Sequence, residues 1–228
     1  MNTFELLEGR HHVRKYSDKV PPKEQIESAL WKAWKTTPTK NNAMPYKIFV
    51  YGPDKKEEKE KVWKMVYKNH KVAERRAVAR GQGKTTEGGF ANPYYEHIKY
   101  NPYLLTIHAQ PREPNEFYRK QVERGMFFDQ AWPERVDNFI DTSAVEVGLF
   151  IQILTLYLLE YKIDLSYTSC FVRDARQWRA LGLKHVEYRP IVLMSMGYSE
   201  VFRKDVIEKL GRTHEDIKPA MSEMIKWI

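Results

Sequence analysis

Five basic or imidazole side chains fall within seven positions near the start of the chain, in residues 10–16 (RHHVRKY). In an extended segment alternate side chains point to opposite faces, so Arg10, His12 and Arg14 would share one face. Arginine suits a phosphate because its planar fork donates two parallel hydrogen bonds to the anion. The segment therefore predicts an anion grip, although a solvated basic strand would have the same composition.

A second polar cluster lies in residues 36–52 (TTPTKNNAMPYKIFVYG), between a predicted helix and a predicted strand. Pro38 ends the helix before it, and Pro45 precedes the strand, where its missing N–H costs no ladder bond. Polar side chains on a loop held at both ends are typical of a ligand-binding edge. An ordinary helix-to-strand connection remains the alternative. The hydrogen-bonding side chains of this loop are Thr39, Lys40, Asn41 and Asn42.

The remaining elements predict an α+β fold, because helices surround a few strands without a regular βαβ repeat. Proline at 21 and 22 starts a helix that ends at residue 36. Its spacing of apolar residues predicts a buried stripe of Ile26, Ala29, Leu30, Ala33 and Trp34. Other helices are predicted over 2–9, 54–69, 114–124, 134–162, 173–182, 204–210 and 216–227. Strands are predicted over 47–51, 103–107, 163–171 and 190–196.

The most apolar stretch, residues 144–159 (AVEVGLFIQILTLYLL), predicts the central buried helix. It is shorter than the roughly 20 residues that a membrane span needs. Gln152 on this helix is predicted to be buried and to need a hydrogen-bond partner. The only cysteine, Cys170, is predicted to be a small buried hydrophobe rather than a nucleophile, since no activating partner is apparent.

Composition narrows the class of protein further. The chain has 228 residues and a net charge of +8, but its lysines and arginines alternate with acids (DKKEEKEKVWK), which indicates solvated helix faces rather than a nucleic-acid surface. A single cysteine excludes an intramolecular disulfide and a cysteine-based metal site, and the N-terminus lacks an apolar signal core. We expect one domain over 1–228, cytoplasmic, with no metal, membrane or nucleic-acid partner.

Taken in order, five segments resemble the motifs of the flavin-dependent nitroreductase superfamily, which includes nitroreductases, flavin reductases and iodotyrosine deiodinases. Residues 10–16 resemble its opening R-[RH]-S-x-[RK]-x-[FY], and residues 37–46 (TPTKNNAMPY) resemble its A-P-S-x-x-N-x-Q-P-W. Gly148 and residues 152–156 (QILTL) are similar to its core helix, and residues 163–171 to its flavin-contacting strand end. Residues 190–198 resemble its last core strand with a terminal G-Y, and Arg212 its C-terminal phosphate arginine.

The resemblance implies an intertwined α+β homodimer with a central, mainly antiparallel sheet flanked by helices and with FMN bound at the subunit interface. It implies two-electron transfer from NADH or NADPH to a small organic acceptor such as a nitroaromatic or a quinone. Because the cofactor carries the electron transfer, no catalytic side chain is required. The residues expected to contact FMN are Arg10, His11, His12, Arg14, Pro38, Thr39, Lys40, Asn42, Tyr167, Thr168, Ser169 and Arg212.

Roles follow from the same resemblance. Arg10 and Arg212 would hold the phosphate with His11 and His12 beside them, and Arg14 would lie near the pyrimidine edge of the flavin. Pro38, Thr39, Lys40 and Asn42 would come from the partner subunit. Tyr167, Thr168 and Ser169 would lie against the ring, with a backbone N–H near Ser169 bonding the flavin N5.

Several positions depart from the family pattern. His12 stands in place of a small serine, Met44 in place of glutamine, Tyr46 in place of tryptophan, and Lys40 is larger than the common serine or glycine. The glycines usual before the flavin-contacting strand are absent around Lys162. Residues 70–130 are expected to form a variable excursion that covers the active site.

Two other functions are compatible with these departures. One is a specialised relative, such as a reductive dehalogenase or a flavin-fragmenting enzyme, with poor general nitroreductase activity. The other is a non-catalytic protein that keeps the fold for flavin binding or for interaction.

Overall fold

The computed structural model describes residues 5–7, 10, 12–13, 15–79, 97–110, 116–125, 136–200 and 224–225. Its helices are α1 (Lys23–Thr36), α2 (Lys56–Ala79), α3 (His97–Tyr100), α4 (Glu116–Glu123), α5 (Val136–Glu160) and α6 (Ala175–Ala180). Its strands are β1 (Tyr46–Tyr51), β2 (Tyr103–Ala109), β3 (Asp164–Thr168) and β4 (Pro190–Gly197). A single turn of 3₁₀ helix, Lys40–Asn42, precedes β1.

The four strands form one sheet in the order β1-β2-β4-β3, and every neighbouring pair is antiparallel. The register pairs Tyr46 of β1 with Ala109 of β2 and, at the other end of these strands, Tyr51 with Leu104. Because the directions alternate, β1 begins and β3 ends at the same end of the sheet. The predicted α+β class with a mainly antiparallel sheet is confirmed.

Both faces of the sheet are covered by helices, and the residues of β2 show how. Leu105 and Ile107 point into a core that α1 and α5 share with the sheet. Leu104, on the other face, points into a second core built on α2 and α6, which includes Val62 and Trp178. All seven residues of β2 are buried, as expected for a central strand with a helical layer on each side.

The helix α5 is the main apolar element, as the sequence predicts. Its residues Phe150, Leu154 and Leu158 are completely buried at spacings of four, which directs one stripe of the helix onto the sheet. Among the described residues, Ser143–Glu160 is also the one segment long and apolar enough to cross a membrane. The buried helix of a globular core meets the same criterion, and here the stripe packs on β strands.

Three side chains are placed differently from the prediction. Gln152 is exposed, because it lies on the outer face of α5 rather than on the stripe of Phe150 and Leu154. Trp34 is 57% exposed, since the buried stripe of α1 is narrow and consists of Ile26, Ala29 and Ala33. Cys170 is exposed, because it follows the end of β3 in an open turn.

The predicted strands and the helices predicted over 54–69, 114–124, 134–162 and 173–182 all form, with small differences in their ends, and the helix predicted over 2–9 is described only at residues 5–7. The largest difference is at α2, which continues to Ala79 instead of ending near residue 69. The continuation, residues 70–79 (HKVAERRAVA), contains three alanines and two arginines, which have high helix propensity. The predicted helices over 204–210 and 216–227 lie almost entirely outside the described residues. The single-domain assignment and the covering role of residues 70–130 stay predictions.

The backbone at the end of α5 shows why a glycine would be favoured near residue 162, where this chain has a lysine. Lys162 has a φ of +59°, and its N–H donates to the Leu159 carbonyl at 2.9 Å while the Ile163 N–H donates to Leu158 at 2.9 Å. These two bonds form a Schellman motif, whose left-handed position favours glycine. A side chain in this conformation costs about 1 kcal/mol.

We therefore expect Lys162→Gly to raise the free energy of unfolding by about 1 kcal/mol, measured by urea titration. Lys184→Gly is the matched control, since Lys184 is an exposed turn residue that is not among the positive-φ positions. The control is expected to lower stability slightly, because glycine there adds only chain entropy to the unfolded state. Equal effects of the two substitutions would refute the assignment of strain to residue 162.

Candidate active site

The basic N-terminal segment lies beside β3. The Val13 N–H donates to the Leu165 carbonyl at 3.3 Å, and the His12 ring meets the Tyr167 ring edge to face, with 6.1 Å between centroids. Val13 lies beside Leu165 and His12 lies beside Tyr167, so the segment runs antiparallel to β3. From Val13 to His12 the segment therefore approaches the C-terminal end of β3, where Thr168 and Ser169 follow.

Tyr16 fixes this segment to the sheet. Its hydroxyl donates to the Ser195 carbonyl at 3.0 Å, and it lies 3.2 Å from the Ser166 hydroxyl, which can then donate to it. Burial raises the pKa of Tyr16, so the phenol stays a donor at neutral pH. The Ser17 N–H adds a bond of 2.8 Å to the Tyr198 carbonyl.

Gly197, the glycine of the terminal G-Y in β4, is required by this attachment. A Cβ at Gly197 would lie 2.8 Å from the Tyr16 ring and 2.8 Å from the Pro102 ring. Neither ring can withdraw without breaking contacts of its own, so only glycine allows the N-terminal segment to approach β4 this closely.

The end of β3 presents an open polar and aromatic surface. Tyr167 is 46% exposed, and Ser169 and Cys170 are exposed beyond it. The Thr168 hydroxyl oxygen accepts from the Cys170 N–H at 3.2 Å, which shapes the turn. Within the described part of the chain, the Ser169 N–H has no acceptor, so it is available to a ligand. A cavity of about 480 Å³ adjoins Ser169.

The loop before β1 is held by internal bonds and by α5. The Thr39 carbonyl accepts from the Asn42 N–H at 3.1 Å, and the Lys40 N–H donates to Glu146 Oε1 at 3.3 Å. Asn42 and Met44 have φ values of +51° and +45°. These contacts hold Pro38, Thr39, Lys40 and Asn42 in one fixed turn at the edge of the sheet.

Two of the departures from the family pattern contact each other. The Tyr46 hydroxyl donates to the Met44 sulfur at 3.5 Å, and the Met44 carbonyl accepts from Gln110 Nε2 at 3.2 Å. Burial, with a further contribution from the Glu146 carboxylate, raises the pKa of Tyr46. Met44 and Tyr46 thus support the loop from within, and both face the core that includes Phe150.

Within one chain the two groups of candidate residues do not meet. The loop before β1 and the end of β3 lie at the same end of the sheet but on its opposite edges, three strand spacings or about 14 Å apart. Of the predicted site residues, the structure brings His12 into contact with Tyr167, and Thr168 and Ser169 follow Tyr167 at the end of β3. Arg10 lies two positions before His12 in the basic N-terminal segment. His11, Arg14 and Arg212 lie outside the described residues.

Sequence reasoning missed the residues that hold the site in place. Tyr16, Ser166 and Ser195 form the attachment of the basic segment, and Glu146 anchors the loop. A carboxylate inside the apolar stretch 144–159 was a usable signal, since a buried acid needs a donor. In the described ranges no three His, Cys, Asp or Glu side chains gather into a metal site.

The model of the nitroreductase family matches residues 7–198, and no curated protein matches the sequence. The fold is similar to that of a nitroreductase-like protein from Streptococcus mutans, at a TM-score of 0.60 and 17% identity, covering 99% of this chain and 97% of that one.

Two further solved structures are similar along their whole length. One is the FMN-dependent nitroreductase of Mycobacterium smegmatis in complex with NADPH, with a TM-score of 0.62 and 16% identity, covering 99% of this chain and 97% of that one. The other is an FMN complex from Exiguobacterium sibiricum, with a TM-score of 0.65 and 14% identity, covering 100% and 98%. The match of the family model over most of the sequence shows that this chain belongs to the nitroreductase family.

Proposed function

We propose that this protein is an FMN-dependent oxidoreductase that takes two electrons from NADH or NADPH and reduces a small organic acceptor such as a nitroaromatic or a quinone. Membership of the family supports an oxidoreductase in general. The observation that carries the proposal is the attachment of the basic N-terminal segment along β3, with His12 against Tyr167. It supports an anion-binding site beside an exposed aromatic ring at one end of the sheet.

The donor set of the described residues fits FMN. Arg10 and His12 would face the phosphate and the ribityl chain, and Tyr167, Thr168 and Ser169 would lie against the ring. The Ser169 N–H, which has no acceptor in the described part of the chain, would donate to the flavin N5. When bound, FMN supplies the chemistry, accepting a hydride from the nicotinamide and passing two electrons to the acceptor.

We propose that the site is completed by a second copy of this chain. Pro38, Thr39, Lys40 and Asn42 lie about 14 Å across the sheet from Tyr167, too far for both groups to contact one flavin ring in the same chain. On α5, Val145 and Leu149 are 64% and 43% exposed and flank Glu146, which holds this loop. Their apolar face lies next to the loop that would reach the partner.

Leu149→Ala is expected to raise the dissociation constant of the homodimer about fivefold, because about 1 kcal/mol of apolar burial is lost, measured by analytical ultracentrifugation. Val20→Ala is the control, since Val20 has a similar exposure of 45% and lies away from the loop. A monomeric wild-type protein that binds FMN stoichiometrically would contradict the proposed interface.

The departures from the family pattern bear on the electron acceptor. Lys40, in a fixed backbone position, would put a cation on the partner's side of the flavin. His12 is a bulkier donor than serine. We also propose a cytoplasmic location, since a lone exposed thiol persists in a reducing compartment and NAD(P)H is supplied there.

The proposal is tested by the visible absorption spectrum of the purified protein, with the released cofactor identified by mass. Bound FMN, together with NADH or NADPH consumption in the presence of a nitroaromatic or a quinone, is the expected result. Bound FMN without such turnover would favour the specialised relatives. A colourless protein that takes up no added FMN would overturn the oxidoreductase proposal in favour of an interaction role.

A further inference from the structure

A second cavity, of about 580 Å³, lies at the opposite end of the sheet from the candidate flavin site. Asn101 and Pro102 line it, immediately before β2 begins, and β2 begins where β1 and β4 end. Lys56 and Lys59, from the first turn of α2, line its other side. The volume is in the range of small-molecule sites.

Lys59 is a buried cation that forms no ion pair with the described residues. It is 2% exposed, and its Nζ donates to the carbonyls of Asn101 at 2.7 Å and Pro102 at 3.3 Å. An ammonium has three donors, so one N–H remains. No described carboxylate lies within 4.0 Å of it. Burial lowers the pKa of Lys59 to about 8, and the nearby Asp54 carboxylate offsets this only in part.

Asn101 adds an unused acceptor to the same cavity. It is 1% exposed, and its Nδ2 donates to the Ser195 hydroxyl at 2.7 Å and to the Ile98 carbonyl at 3.4 Å. A carbonyl can only accept, so these partners determine which end of the amide carries the nitrogen. Its Oδ1 is buried and bonds to nothing in the described part of the chain. A buried polar atom left without a partner costs stability.

The charges around the cavity favour a ligand with one negative charge. The cations that line it are Lys56, Lys59 and Lys99, and the acids are Asp18 and Glu60. The formal sum is one positive charge, so a monoanion would balance the charges of the lining and a dianion would leave an excess negative charge. A monoanion that also carries a hydroxyl would satisfy both Lys59 and Asn101.

We propose that this cavity binds a small monoanionic hydroxy-carboxylate, with its carboxylate on Lys59 and its hydroxyl donating to Asn101 Oδ1. The carboxylate supplies the counter-ion that the buried ammonium lacks. The site lies a full strand length, about 17 Å, from the end of the sheet that carries the candidate flavin residues, and Tyr16 and Ser17, which attach the basic segment to the sheet, line it as well. It gives the protein a second small-molecule specificity.

Glycolate is a suitable probe, titrated into the full-length protein and followed by calorimetry and by ¹⁵N–¹H NMR. We expect a dissociation constant of about 1 mM, in the range open to so small a ligand, and amide shifts centred on Lys59 and Asn101. Acetate lacks the hydroxyl and is expected to bind about fivefold more weakly. Inorganic phosphate, mostly a dianion at pH 7.5, is expected to bind more weakly than glycolate.

Lys59→Met is expected to weaken glycolate binding at least about tenfold, since a charge-assisted hydrogen bond is lost. Lys61→Met is the matched control, because Lys61 lies on the same helix and does not line the cavity. Equal affinity of wild type and Lys59→Met would overturn the proposal. Shifts in the wild-type spectrum centred on Tyr167 and Ser169 would also overturn it, and that readout does not require the variant to fold.

Discussion

Arg10→Ala is expected to weaken FMN binding about a hundredfold, because the phosphate loses two charge-assisted hydrogen bonds. The arginine lies two residues before His12, on the segment that Tyr16 and Val13 hold against β3. Quenching of flavin fluorescence on titration into apoprotein gives the dissociation constant. The reduction of affinity should be smaller for riboflavin, which has no phosphate.

Arg176→Ala is the control for this experiment. Arg176 is an exposed arginine whose guanidinium already donates to Asp174 at 3.1 Å, so its loss is expected to change FMN affinity less than twofold. The double variant Arg10→Ala with Arg212→Ala is expected to bind still more weakly than the single one. Unchanged affinity in the double variant would show that the phosphate assignment is wrong.

Acidification from pH 7 to pH 5 is expected to cost about 2 kcal/mol of stability through His108 alone. Burial lowers the pKa of His108 from 6.5 to about 4, and the residue is 1% exposed. Its Nδ1–H donates to the Tyr188 carbonyl at 3.3 Å, so its Nε2 accepts from the Thr106 hydroxyl at 2.8 Å. The ring is therefore neutral in the folded protein.

The direction of this dependence follows from where the proton binds. Above pH 6.5 both states are neutral and the histidine has no effect on the unfolding equilibrium. Between pH 6.5 and pH 4 the unfolded chain takes up a proton that the folded chain cannot, so stability falls as the pH falls. Below pH 4 the whole contribution, about 3 kcal/mol, is lost.

His108→Gln isolates this contribution, because glutamine can make both hydrogen bonds and does not titrate. Urea unfolding at pH 7 and pH 5 should show a pH-dependent loss smaller by about 2 kcal/mol in the variant. His185→Gln serves as the comparison: burial also lowers the pKa of His185, but it is less buried than His108. The same pH dependence in wild type and His108→Gln would refute the assignment.

The sequence predicted the elements well where local pattern decides them. Apolar spacing in α5 and the alternation in β1 follow from the geometry of one helix or one strand, so they can be found without knowledge of the neighbours. The prediction that Gln152 is buried was wrong because the helix around it is apolar on nearly every side. Only the contacts with β2 and β3 decide which face of the helix points outward. The prediction that Trp34 is buried was wrong for a similar reason, because Ala29 and Ala33, together with Ile26, form the buried stripe of this helix.

The candidate site was less accessible to such reasoning. The two polar clusters and their order along the chain were visible in the sequence, but their separation across the sheet depends on strand order, which local pattern does not encode. The supporting bonds of Tyr16 to Ser166 and Ser195 span 150 and 179 positions. The burial of Lys59 could not be predicted either, because Lys59 lies in a run of lysines and glutamates and only the tertiary fold determines which of them is buried.

The N-terminal segment also has a consequence for solubility. β3 is an edge strand, and the free side of an edge strand can pair with another chain and cause aggregation. The Val13 N–H bond to Leu165 occupies part of that side. Deletion of the residues before Ser17 would therefore remove the basic segment and also expose the unpaired backbone groups of β3. The exposed strand edge would favour aggregation of the protein.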